Sequence, residues 1–142
     1  MAQESSGPHV DRSTDVARRW LMALERCVRP LDYAAARPLF AADVIAFGTR
    51  AYTVRDRETL EREQWRPVWP SIRGFTFRLD ELRCWGGEQG LCVTVPWDSL
   101  GVQPDGTTVP RPGRATVFLV PREREWVAVH SHFSLTPSPP QP

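Results

Sequence analysis

From Ile72 onward the apolar residues of this chain fall at every second position, and before Ile72 they do not. "FTFRL" puts Phe75, Phe77 and Leu79 on one side, and "LCVTVPW" gathers Leu91, Val93, Val95 and Trp97. Period two marks strands with one buried face. "RATVFLV" is apolar on both faces and "WVAVHSHFSL" closes the series; turn residues in "GGEQG", "GVQPDGTTVPRPG" and "PRERE" separate the runs. Ahead of Ile72 the period is helical. Val16, Trp20, Leu24 and Val28 recur every four residues, Ala17 and Leu21 widen the stripe, and Ser13 or Thr14 stands at its N-cap. Asp32 opens a short second helix and Asp56 a third, which Pro67 and Pro70 bend or close; "DVIAFG" and "AYTV" form a hairpin between them. Helices first and a meander of antiparallel strands afterwards specify an α+β domain, with about three N-terminal helices on one face of a curved sheet. The domain spans residues 13–136, between a disordered tail of residues 1–12 and a proline-rich tail of residues 137–142.

Charge excludes several classes of function. The 18 basic residues, all arginine, are scattered among 17 acids for a net charge of +1, so no basic stripe for nucleic acid exists. No apolar run is long enough to span a membrane. The three cysteines, Cys27, Cys84 and Cys92, have neither CxxC nor metal spacing, which points to reduced thiols in a cytoplasmic protein that needs no cofactor. The pair His130 and His132 invites a metal reading, but the remaining histidine, His9, lies far off in the N-terminal tail and no glutamate follows at ligand spacing. Cys84 and Cys92 flank "GGEQG" and would be the remaining ligands if they faced each other. The expectation is no metal.

The order of "ARRWLMALE", "YAAARPLFAADVIAFG", "RDRETL" and four strands ending "WVAVHSHFS" resembles the nuclear transport factor 2-like superfamily, in its SnoaL-like and ketosteroid-isomerase-like branch. The last strand is also similar to the end of the association domain of calcium/calmodulin-dependent protein kinase II. The resemblance implies a cone-shaped α+β barrel, a curved antiparallel sheet wrapped around the helices, with a pocket between helices and sheet, usually in a dimer or larger assembly. It implies three catalytic positions too, and none carries the required group: the oxyanion-hole tyrosine falls at Trp20, the general base near Gly48, and the oxyanion-hole acid near Thr116. Asp32, Asp43 and Asp98 are the remaining carboxylates a cyclase-type reaction would consider, and strand parity does not aim Asp43 or Asp98 into the pocket.

Parity assigns the pocket wall to Val95, Trp97, Thr116, Phe118, Val129, Ser131 and Phe133 from the strands, Trp20, Trp65 and Trp69 from the helices, and Phe47 from the hairpin. Arg114, on the parity of Thr116, stands at the mouth as a ligand anchor. The other face carries Val117, His130 and His132, and a sheet apolar on both faces asks for a cover on each. That face is assigned to a homodimer interface. The function expected is therefore a dimeric SnoaL-like pocket protein that binds, and in a stronger form transforms, a small hydrophobic molecule, with no identifiable catalytic base and no nucleic-acid or membrane partner. The alternatives are a non-enzymatic homo-oligomerisation domain, and an isomerase or polyketide-cyclase-like enzyme with a non-standard acid/base.

Overall fold

The protein is described here by a computed structural model covering residues 6–138. Its first element, α1 (Ser6–Val28), buries Ala17, Trp20, Leu21, Leu24, Cys27 and Val28 along one stripe, as the four-residue spacing requires. The helix begins at Ser6 rather than at Ser13, which corrects the expectation of an unstructured run up to residue 12. Pro8 falls in its first turn, where a missing N–H breaks no helical hydrogen bond. Residues 1–5 and 139–142, the rest of the expected tails, lie outside the described residues.

Asp32 accepts a hydrogen bond from the Ala35 N–H (3.1 Å) and caps α2 (Tyr33–Ala36). Asp56 accepts from the Thr59 N–H (2.7 Å) and caps α3 (Arg57–Leu60). The chain then widens into a π turn over Glu61–Trp65 before α4 (Arg66–Val68) and a closing 3-10 turn at Trp69–Ser71. Pro67 explains the widening, because it has no N–H for an i→i−4 bond and its ring crowds the carbonyl four residues back. The turn still keeps Glu61, Gln64, Trp65, Val68 and Trp69 on one buried face.

The strands are β1 (Phe40–Phe47), β2 (Thr53–Val54), β3 (Ile72–Phe77), β4 (Arg83–Gly87), β5 (Gly90–Val102), β6 (Thr108–Pro110), β7 (Gly113–Arg122) and β8 (Glu125–Leu135). They form one eight-stranded sheet in the order β2-β1-β8-β7-β5-β3, with β4 and β6 also pairing with the long β5. The end strands do not meet, so the sheet curves over the helices without closing, and the expected barrel is an open sheet. It is also mixed rather than wholly antiparallel, since β1 runs parallel to β8. No hairpin joins those two strands, so nothing in the connection forces them antiparallel.

Two bulges set which residues face the helices. In β3 the pairing moves from Arg73↔Leu100 to Thr76↔Asp98, and Gly74, at φ 64, takes the left-handed conformation that absorbs the extra residue. In β8 the pairing moves from Ala128↔Leu119 to His130↔Phe118, leaving Val129 as the extra residue. A bulge reverses parity along its strand. Ala128 therefore faces inward on one side of Val129, and Ser131 and Phe133 face inward on the other.

Candidate functional site

The site grows from two aromatic clusters that face each other across the core. The helical side carries a continuous ladder: Trp20 stands edge-on to Phe40 (5.3 Å between ring centroids), Phe40 tilts against Trp65 (5.1 Å), and Trp65 stacks on Trp69 (5.1 Å). Tyr33 continues the stack against Trp69 (5.2 Å), and Arg66 lies over the Tyr33 ring (4.3 Å). The sheet side carries Phe75, Trp97 and Phe133, with Trp97 5.5 Å from Phe75 and 6.4 Å from Phe133. Between the clusters lies a cavity of about 60 Å³, walled by Phe40, Phe47, Trp65, Trp69, Phe75, Trp97 and Phe133, with aliphatic side chains from α1 and the third-helix region. That is room for a few water molecules, and less than the roughly 150 Å³ that admits benzene, so a ring enters when a lining side chain swings aside.

The polar part of the wall is small and specific. The Gln64 carbonyl oxygen accepts from the N–H groups of Arg50 (2.9 Å) and Ala51 (2.8 Å), and its amide donates to Thr49 Oγ1 (2.7 Å). Arg111 donates from Nη2 to the same Thr49 oxygen (3.0 Å), and its guanidinium lies 5.8 Å from the Trp97 ring. The backbone holds Arg111 in place: its N–H donates to the Ser99 carbonyl (2.8 Å), and the Ser99 hydroxyl donates to its carbonyl (2.7 Å). Burial pulls the Arg111 pKa below the ordinary arginine value, though a guanidinium stays charged. Among the described residues it joins no ion pair. Ser131 is 2% exposed and lines the cavity. The Trp97 indole N–H is buried and unpaired among the described residues, a condition that costs about 1–3 kcal/mol. Among the described wall residues none is Asp, Glu or His.

The positions that the resemblance singled out fall as follows. Trp20 donates its indole N–H to the Leu39 carbonyl (2.9 Å) and is spent on the core. A Cβ on Gly48 would run into the Gln64 side chain, so a glutamine amide occupies the room a carboxylate base would need. Thr116 is on the outer face. Asp98 is bridged to Arg78 (2.8 and 3.2 Å), Asp43 is largely exposed near Arg122, and Asp32 is the cap of α2.

Of the residues assigned to the wall by parity, Phe47, Trp65, Trp69, Trp97, Ser131 and Phe133 line the cavity. Trp20 and Val95 are buried in the core outside it. Arg114, Thr116 and Phe118 are on the opposite face, a correction that follows from register: β7 puts Ala115, Val117 and Leu119 directly across from the inward Val95, Val93 and Leu91. Arg114 bonds Ser134 (3.0 Å) on that outer surface. Val117 is fully buried beneath the helices and so is not available to a partner subunit. Val129 is the half-buried bulge residue, off the wall. His130 and His132 do face outward, each 5.1–5.2 Å from the Phe47 ring, and His130 Nδ1 lies 2.8 Å from the Ile45 carbonyl. Cys84 and Cys92 are one residue out of register, opposite Val93 and Trp85 respectively, so they lie on different faces and cannot share a metal. Among the described residues no three His, Cys, Asp or Glu side chains cluster as a metal site.

Arg111, like Thr49 and Gln64, is a polar wall residue that the sequence reading missed. Its signal is faint: a lone arginine between Pro110 and Pro112, just where the turn-rich loop re-enters β7.

A curved open sheet over helices, enclosing an aromatic cavity with a few fixed polar groups, defines a pocket-bearing α+β domain. The chain belongs to the SnoaL-like domain family, whose model matches residues 15–138. Among solved structures it is similar to a nuclear transport factor 2-like superfamily protein from Salmonella enterica, with a TM-score of 0.75 at 15% identity over 91% of this chain and 94% of that one. A ketosteroid isomerase-like protein from Erwinia carotovora atroseptica gives 0.74 at 12% identity, over 87% and 96%. The association domain of calcium/calmodulin-dependent protein kinase II from C. elegans gives 0.70 at 16%, over 89% and 97%. At these identities the likeness is one of fold. No curated protein matches the sequence significantly. No helix among the described residues is long and apolar enough to cross a membrane.

Proposed function

We propose that this protein is a homodimeric pocket protein that binds a small, largely apolar molecule between its helices and its sheet. One observation carries the reading: an aromatic cavity wall retains a buried indole N–H, that of Trp97, without a partner among the described residues, and a half-buried guanidinium, Arg111, without a carboxylate among them. A core that served packing alone would be more stable without either group, because polar atoms held from water need partners. Apolar walls with a few placed polar groups are the usual composition of small-molecule sites. The reading is one of binding. An isomerase or cyclase would need an acid–base group, and the described wall offers none between arginine and hydroxyl.

The outer sheet face supports self-association. Register aligns Trp85, Cys92, Phe118, His130 and Ile45 in one row across β4, β5, β7, β8 and β1. Trp85 is 59% exposed and Phe118 43%, which leaves two large rings of this row in water. A second copy of the chain covers this row in our reading, with His130 and His132 beside it, and one structural neighbour is itself an association domain. The small cavity volume favours a second reading, in which assembly is the whole function and no ligand enters. Three free cysteines support a reducing, cytoplasmic setting.

Saturation-transfer NMR with benzamide, a neutral aromatic probe, separates the two readings. Transfer to benzamide in the native protein, lost in a Ser131→Phe variant that fills the cavity, supports the pocket. Absence of transfer to benzamide and to benzoate alike, each at millimolar concentration, leaves only the assembly domain.

A further inference from the structure

Resting on the pocket reading, we propose that the molecule taken up is a small aromatic carboxylate, its acid group received by Arg111 and Thr49 and its ring held between the two aromatic clusters. The argument is a census of hydrogen-bonding atoms. The acceptors beside Arg111 are already used: the Gln64 carbonyl oxygen takes two backbone N–H groups, and Thr49 Oγ1 takes one donor from Gln64 and one from Arg111. With both lone pairs filled, the Thr49 hydroxyl hydrogen is left to donate. It does so beside the Arg111 guanidinium, which makes one side-chain bond and has further N–H groups to spare. The Trp97 indole N–H adds a third donor without an acceptor. The surplus is therefore of donors, next to a positive charge, and a ligand that completes the site brings acceptors and a negative charge.

Carboxylate fits better than phosphate. One guanidinium balances one negative charge, and its planar fork matches two carboxylate oxygens. Among the described wall residues there is no second cation to balance a phosphate dianion. The wall beside Arg111 is aromatic rather than aliphatic, with Trp97 under the guanidinium and Trp65 and Trp69 opposite, which suits a flat ring.

Calorimetric titration of the full chain with benzoate and with its isostere benzamide tests this. Benzoate is expected to bind at least about tenfold more tightly than benzamide, and Arg111→Gln to erase that preference. Thr49→Val, which keeps shape and removes the donor, lowers benzoate affinity severalfold and serves if Arg111→Gln does not fold. Equal affinities in the native protein, or a preference that survives Arg111→Gln, overturn the carboxylate assignment and leave the pocket standing. Failure of both probes to bind at millimolar concentration removes the pocket reading and this inference with it.

Discussion

The amide of Gln64 fills the space that Gly48 leaves by having no side chain: a Cβ on Gly48 would overlap the Gln64 carbonyl oxygen and crowd its Cδ. That same oxygen holds the N–H groups of Arg50 and Ala51. Gly48→Ala therefore displaces an acceptor from two backbone donors, at a cost of about 2 kcal/mol. Gln64→Ala loses a similar amount by the same route. The two losses overlap, so the double variant falls well short of their sum. Urea unfolding of the four proteins measures the cycle; simple additivity would mean that the two residues do not share one role.

Gly113 lies under the Trp97 ring in the same way. A Cβ there would collide with the indole and with the Ser134 carbonyl, and the backbone of the paired β8 has no room to retreat. Gly113→Ala is expected to cost about 3 kcal/mol, at the upper end for overpacking. Thermal unfolding followed by near-ultraviolet circular dichroism reports both the stability loss and the displaced Trp97. A melting temperature within a degree of the native value would contradict the contact.

Glu61 sets the acid limit of stability. Its carboxylate takes two bonds from Arg37 (2.7 and 2.9 Å) and another from Arg66, and the hydrogen bond from Arg37 is the main cause that holds its pKa at about 2 against an ordinary 4.5. A depressed carboxyl pKa stabilises the fold above the unfolded value and ceases to do so as pH falls through the folded one. Wild type and Glu61→Gln should thus differ by about 1–2 kcal/mol at neutral pH, an amount reduced from the full shift because both arginines are half in water. The difference should shrink below about pH 4.5 and be gone near pH 2. A gap that widens with acid would show that the pair does not behave as an ion pair.

The outer row predicts its own disruption. Phe118→Glu puts a charge in the middle of the Trp85-to-Ile45 row without touching the inner face, since Phe118 points outward and Gly90 beside it offers only backbone. Light scattering should give a dimer for the native chain and a folded monomer for the variant. A native monomer at micromolar concentration, or a variant that remains dimeric, would remove the outer face as the interface.

Where the sequence reading succeeded and failed has a common cause. In β5 one parity is apolar and the other holds Cys92, Thr94, Pro96 and Asp98, so alternation alone identifies Leu91, Val93, Val95 and Trp97 as buried. In β7 both parities are apolar. Ala115, Val117 and Leu119 face the core instead of Thr116 and Phe118 because pairing with β5 fixes the register, and pairing is not written in β7 itself. In β8 the extra residue at Val129 flips parity midway, which no period count detects. Ser131 and Phe133 were still found, since they lie beyond the bulge. Arg111 was passed over because it stands in a proline-flanked loop, where period carries no information. Its role comes from the fold bringing Thr49 and Trp97 to it.

The central claim, that ligands enter between the two aromatic clusters, is tested most directly by fluorine NMR of protein labelled with 5-fluorotryptophan. The chain has six tryptophans, and three of them, Trp65, Trp69 and Trp97, line the cavity, while Trp20 is sealed in the core and Trp85 and Trp126 lie off the cavity wall. With each resonance assigned by a Trp→Phe variant, titration with benzoate should shift those three and leave the others in place. Shifts confined to Trp85 and Trp126, or no saturable shift at all, would contradict it.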